Sequence, residues 1–298
     1  MYLSYTGYKT YTSCPRMYLF RYVQKPKLEV LENRVNSLFG TIIGNIFEAF
    51  YNEKLWAGNP GVAIVEKRLL DRVMTSYLKA VAKETRDGVI LWKPDDSKAN
   101  YASMEDLLED VREAVPRGLR VIRHHRLLDR DALAEVKLDQ DHEGHTIGGR
   151  CDIRMRRIEP HHDLILLDGK GSKWRDKYVD TRQLKWYAML HRMKYGHMPD
   201  RLGFVFWRFE PDKGLDWVEC SLNELDDLLI SALTSIREIE DGQAQLAANP
   251  SSLPQAFPAH PGDGCRFCAY MPLCPEGTKF NTIKAPEHVG TGVEDVGL

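Results

Sequence analysis

The chain has little net charge, few cysteines and no long apolar run. Its 41 basic and 43 acidic residues leave a formal charge of −2. A global pull on nucleic acid is therefore absent, and any contact with a polyanion has to come from a local basic patch. No apolar stretch approaches the ~20 residues that span a bilayer. The opening Met1-Tyr2-Leu3-Ser4-Tyr5 also lacks the charged region and apolar stretch of a secretory signal. These absences predict a cytoplasmic protein with no membrane partner. Six cysteines in such a reducing compartment read as thiols or metal ligands and not as disulfides. There is no internal repeat and no low-complexity block.

What is present suits an ordinary globular protein: 43% hydrophobic and 28% charged residues over 298 positions, enough for one large core or two small ones. Pro15 is placed to open a short helix after Cys14. From Asn36 to Trp56 the apolar residues Leu38, Ile42, Ile46 and Phe50 fall at helical spacing. Gly40, Gly44 and Glu48 form a second stripe on that helix, which would let another backbone approach closely and set a carboxylate at its end. From Gly61 to Leu128 the pattern is helical and charged, as in Val65 to Lys83 and Met104 to Val115, with a break around Trp92 to Lys98. It reads as an accessory helical layer.

Strands are predicted over Leu133–Leu138, Thr146–Arg156 and Leu164–Asp168, a helix over Asp180–Tyr195, a β-pair over Leu202–Phe209 and Leu215–Cys220, and a long helix over Asn223–Ala247. After Asn249-Pro250 the chain is rich in proline and glycine, and Gly290 to Leu298 reads as a disordered tail. Cys151 and Cys220 fall within predicted strands and read as core residues.

Two of these strands carry chemistry. Glu159-Pro160-His161-His162 is turn-like, so Thr146–Arg156 and Leu164–Asp168 make an antiparallel hairpin. With Pro160 at the turn, residues whose numbers sum to 320 face each other, and Asp152 meets Asp168. Lys170 emerges on the same face, two residues further on. Paired carboxylates repel unless a divalent cation such as Mg²⁺ or Mn²⁺ neutralises them, and such an ion keeps positions open for water and a phosphate oxygen. An adjacent lysine can orient the attacking water or stabilise charge developing on phosphorus. Acidic-x-Lys strings are common, and Glu135-Val136-Lys137 is another; the mirrored Asp152 is what distinguishes Asp168-Gly169-Lys170. Gln183 and Tyr187, one turn apart on the next helix, together with Arg182 and Lys185, are candidates to meet a phosphate backbone. Gly169-Lys170-Gly171-Ser172 is not a nucleotide-binding loop, because Leu164 stands at its first glycine position and Gly171 at its Ser/Thr position.

Cys265, Cys268 and Cys274 crowd near the end of the chain, and Cys14 stands alone near its start. Four thiolates suit Zn²⁺ or an iron-sulfur cluster, and a distant single cysteine plus a tight trio leans to the cluster.

Taken together, the chain resembles the RecB-like branch of the PD-(D/E)XK nuclease superfamily. The resemblance is closest to its iron-sulfur members, the CRISPR-associated exonuclease that processes new spacers and the nuclease domain of AddB. It runs through Thr12-Ser13-Cys14-Pro15, the Gly40 helix, Gly149-Arg150-Cys151-Asp152, Asp168-Gly169-Lys170 with Gln183-x-x-x-Tyr187, and the cysteine trio. It implies an α/β restriction-endonuclease-like core, with a mixed central sheet flanked by helices, a helical insertion and a C-terminal cysteine-rich segment. The corresponding division is a single nuclease domain over 1–298, comprising 1–56, the insertion 57–130, a catalytic core 131–221, a long helix and cluster segment 222–285, and a tail 286–298.

The resemblance further implies a metal held by Asp152, Asp168 and the carbonyl of Gly169, with Lys170 acting on the water and Gln183 and Tyr187 shaping the DNA-side wall. The four cysteines would hold a [4Fe-4S] cluster as a structural staple. The substrate would be DNA, at ends or in single strands, with a protein partner in a recombination or CRISPR adaptation complex. One departure stands out: Gly44 occupies the place of the family's metal-binding histidine, leaving Glu48 as the candidate replacement. A catalytically weak or inactive DNA-binding or assembly subunit that retains the nuclease fold is the alternative this substitution raises.

Overall fold

The computed structural model describes residues 1–25, 35–86, 101–156, 163–175 and 179–284. The break expected at Trp92–Lys98, the turn at Glu159–His162 and the tail 286–298 lie outside them. Contacts divide the chain into two compact units, Met1–Tyr8 with Leu31–Glu238, and Lys9–Val30 with Ile239–Leu298.

In chain order the elements are β1 (Tyr2–Ser4), α1 (Tyr5–Ser13), α2 (Pro15–Tyr18), α3 (Val35–Asn52), α4 (Val62–Leu70), α5 (Val73–Arg86), α6 (Met104–His124), β2 (Leu133–Lys137), β3 (Gln140–His142), β4 (His145–Gly148), β5 (Arg150–Arg156), β6 (Leu164–Lys170), α7 (Thr181–Tyr195), β7 (Arg201–Phe206), β8 (Leu215–Val218), α8 (Leu222–Ala248), α9 (Leu253–Ala256) and α10 (Pro275–Lys284). No described helix is long and apolar enough to cross a membrane.

The larger unit holds a mixed five-stranded sheet in the order β2-β5-β6-β7-β8. Only β6 and β7 run parallel, joined across α7. The central β6 reads Leu-Ile-Leu-Leu-Asp and is buried along all five residues, as a strand covered on both faces must be. β5 alternates instead, with Cys151, Ile153 and Met155 turned into the core. The β5–β6 ladder has the register expected from the sequence: Ile153 pairs with Leu167 and Arg154 with Leu166.

Two expectations change. The run Thr146–Arg156 is not one strand: it breaks at Gly149, and β4 joins β1 and β3 in a separate three-stranded sheet. A Cβ at Gly149 would stand 3.1 Å from the Tyr187 ring, so the break lets α7 pack closely. The helices expected as an accessory layer belong to the core. Leu107, Val111, Ala114 and Val115 of α6 are fully buried in one cluster with α3 and the sheet. Ser103 starts α6 with a reciprocal cap, its Oγ accepting from Asp106 N at 3.1 Å while Asp106 Oδ2 accepts from Ser103 N at 3.0 Å. Cys220 lies beyond the end of β8 and is only partly covered, unlike the fully buried Cys151.

The glycine stripe of α3 is not what admits the neighbouring backbone, since a Cβ on Gly40 or on Gly44 would meet nothing within 4 Å. The close approach depends on Gly171, where a Cβ would stand 2.9 Å from the Gly40 Cα. Gly44→Ala is expected to raise stability by about 0.5–1 kcal/mol, as Ala replacing Gly inside a helix does. Gly171→Ala is expected to cost about 1–3 kcal/mol through overpacking. Denaturant unfolding of the two variants checks both signs.

Candidate active site

The sheet gathers the candidate residues on the face that α7 covers. Continuing the β5–β6 register by one rung sets Asp152 opposite Asp168, and Gly169 N donates to Asp152 Oδ2 at 2.8 Å. Asp168 is 2% exposed, and Lys170 Nζ stands 2.6 Å from its Oδ2. Apart from this ion pair Asp168 Oδ2 has no hydrogen-bond partner. Two facing carboxylates share this one ammonium, an excess of negative charge that a further cation would offset. Gly169 between Asp168 and Lys170 has no room for a side chain, since a Cβ would sit 2.7 Å from the Trp207 indole nitrogen. Trp207 stacks on Phe47 with centroids 4.1 Å apart, and its backbone N–H donates to the Lys170 carbonyl at 3.1 Å.

A relay runs outward from the lysine. Lys170 Nζ donates to Gln183 Oε1 at 3.0 Å, and Gln183 Nε2 donates to the Tyr187 hydroxyl oxygen at 3.0 Å. The amide thus fixes the ammonium on one side and the phenol on the other. Tyr187 is buried, so its packing role and its polar role coexist. Helix α7 is aimed by its first residue's neighbour: Asp180 caps it, accepting from Arg182 N at 3.3 Å, and Tyr5 donates to the same carboxylate at 2.6 Å. Arg182 is exposed at this end. Lys185 is already engaged by Glu224, which reduces its availability to an outside phosphate.

Burial raises the pKa of Asp152 well above the ordinary carboxylate value, with the charge of Asp168 adding to it. Burial raises Asp168 as well, against the lowering effect of Lys170. Glu48 is raised by burial and then by Glu135, with Lys79 and Arg150 opposing. Glu135 is the group these environments share, since it also acts on Asp152 and Asp168. The β2–β5 register explains this: Ala134 pairs with Ile153 and Val136 with Cys151, leaving Glu135 across from Asp152. Glu135 has a positive φ of 56° and takes a hydrogen bond from Arg150 Nη1 at 3.3 Å. Sequence reasoning passed over it as a chance acidic-x-Lys string; the strand register was the signal that could have found it. Among the described residues no three His, Cys, Asp or Glu side chains form a ready-made metal site, and Gly44 faces open space.

In the smaller unit, Cys14, Cys265, Cys268 and Cys274 line one apolar cavity with Met17, Phe20, Tyr270 and Met271. The Cys274 and Cys265 sulfurs lie 3.5 and 3.7 Å from the Cβ position of Gly277. Backbone N–H groups point at sulfur, from Gly262 to Cys265 at 3.5 Å and from Gly277 to Cys274 at 3.4 Å. Behind them the buried Arg16 donates through Nε to the Phe257 carbonyl at 2.8 Å and lies 3.6 Å from Glu276.

The family model of the PD-(D/E)XK nuclease superfamily matches residues 2–275, and the chain belongs to that superfamily. Among solved structures it is similar to a "Putative exonuclease" from Eubacterium rectale, at 14% identity, covering 79% of each chain with a TM-score of 0.43. It is also similar to a protein designated SSO0001, at 14% identity, covering 57% of this chain and 75% of that one with a TM-score of 0.32. No curated protein matches it.

The raised carboxyls carry a pH consequence. A group whose folded pKa lies above its unfolded value of about 4 stabilises the fold most below that value. The contribution is lost as pH rises through the folded pKa. Without added metal, the melting temperature of the wild type should therefore fall with rising pH relative to Asp152→Asn, which has no such proton to lose. Mn²⁺ should restore the wild type more than the variant. Parallel melting curves across pH test this, and identical pH dependence in both proteins would contradict it.

Proposed function

We propose that the chain is a metal-dependent DNA nuclease acting on ends or single strands, with Asp152, Asp168 and the Gly169 carbonyl as ligands of Mg²⁺ or Mn²⁺. The observation that carries this reading is the facing pair of the half-buried Asp152 and the buried Asp168, with the Lys170 ammonium offsetting one of their two charges. A divalent ion there supplies Lewis-acid stabilisation of the scissile phosphate. Lys170, held by Asp168 and Gln183, orients the water or meets charge developing on phosphorus. Gln183 fixes the direction of that ammonium, and Tyr187 forms the wall behind it. Arg182 is the exposed cation placed to meet the DNA backbone. Glu48 is the ligand candidate from α3, and Glu135 adds negative charge beside it.

The same reading assigns a [4Fe-4S] cluster to Cys14, Cys265, Cys268 and Cys274. In its support, the four cysteines line one shared cavity. N–H groups directed at sulfur also favour thiolates. A second reading, a catalytically weak or inactive DNA-binding or assembly subunit that keeps the nuclease fold, is favoured by the open space at Gly44.

Labelled single-stranded DNA incubated with Mn²⁺ separates the two. The nuclease reading expects cleavage that falls at least ~100-fold in Asp168→Ala and in Lys170→Ala, in line with loss of a principal charge-stabilising group. Equal cleavage by wild type and Asp168→Ala would sink it, and no cleavage by the wild type favours the second reading. For the cysteines, protein purified without oxygen should be brown, with iron and sulfide in near-equal amounts. Stoichiometric zinc without iron would refute the cluster.

A further inference from the structure

We propose that Trp174 is a stacking platform for an unpaired base of a single-stranded substrate, set beside Lys170; the inference rests on the nuclease reading above. The loop Gly171-Ser172-Lys173-Trp174-Arg175 leaves β6 directly after Lys170. Trp174 is 66% exposed, whereas Trp186 and Trp207 are 0% and 2% exposed. Four residues of chain span at most about 14 Å, so the indole stays within a few nucleotides of the lysine.

The loop that presents this ring is tied down on both sides of it. Arg208 Nε donates to the Gly171 carbonyl at 2.6 Å. The same guanidinium is fixed by Tyr101, by Asp110 and by the Phe39 ring 3.3 Å beneath it. Ser172 Oγ accepts from Trp174 N at 2.9 Å and donates to Trp174 O at 2.8 Å. Lys173 Nζ lies 3.5 Å from Asp110 and 5.0 Å from the Tyr101 ring centroid. Arg175 Nε donates to Asp216 at 2.9 Å and its guanidinium lies over the Phe206 ring.

The restraints matter because a loop already ordered loses little further backbone entropy when a ligand stacks on the ring it presents. The loop cations are matched by Asp110 and Asp216, so the ring offers an apolar face more than a phosphate site. Base faces are exposed in a single strand and hidden in a duplex. Stacking of one base on an aromatic contributes about 1–3 kcal/mol, so its loss should weaken binding about fivefold or more.

Fluorescence anisotropy with a labelled thymidine oligomer and with a blunt duplex tests this, using the full chain in EDTA so that the DNA stays intact. Trp174→Ala should weaken single-strand binding at least about fivefold, Trp174→Phe should keep most of it, and duplex binding should change less than about twofold. Unchanged single-strand affinity in Trp174→Ala overturns the proposal. So does an equal loss in Trp174→Phe, or an equal loss of duplex binding, which would indicate stacking on a terminal pair. Cleavage assays of Asp168→Ala report separately on the nuclease reading. If that variant is inactive while Trp174→Ala binds normally, the platform fails and the nuclease stands; if it cleaves like wild type, the nuclease reading itself fails.

Discussion

Two carboxylates facing each other on neighbouring strands, with one ammonium against Asp168, form the constraint around which the larger unit is arranged. Asp152 and Asp168 are both pushed toward the neutral form by burial. Lys170 offsets one charge and cannot offset two. Nearly every element nearby serves to hold this imbalance in place. The Gly169 amide anchors Asp152, Trp207 closes the opposite face over Gly169, and Gln183 fixes the lysine. Two facing carboxylates that share one ammonium retain an excess of negative charge that a further cation would offset.

The rest of the core makes that placement rigid. Gly171 lets the strand end touch α3 at Gly40, and Arg208 bridges that same strand end to Asp110 on α6. The helices between residues 57 and 130 thus take part in positioning the site through α6. The smaller unit repeats the theme with sulfur. Four thiols share a cavity, burial pushes the Cys268 and Cys274 thiols up, and backbone amides aimed at sulfur oppose this.

Much of this was legible in the sequence, for local reasons. Side-chain alternation and a turn centred on Pro160 sufficed to set Asp152 against Asp168, because strand register is a matter of counting. The spacing of Gln183 and Tyr187 sufficed to put them on one helical face. Long-range partnerships were not legible. Nothing local announces that Gly149 ends a strand to admit Tyr187, that α6 enters the core, or that Glu48 shares its surroundings with Glu135. Lys185 shows the same limit, since its pairing with Glu224 depends on where α8 begins. Glu135 was hidden differently, by a short string too common to be informative until β2 was paired with β5.

The central claim is that the buried carboxylate pair exists to hold a divalent ion. Calorimetric titration of Mn²⁺ into the metal-free chain, repeated in buffers of different ionisation enthalpy, tests it most directly. The account predicts a saturable site that releases protons on binding near neutral pH, because raised carboxyls must ionise to bind metal, and that is lost in both Asp152→Asn and Asp168→Asn. Binding that persists unchanged in both variants, or that releases no protons, would contradict it.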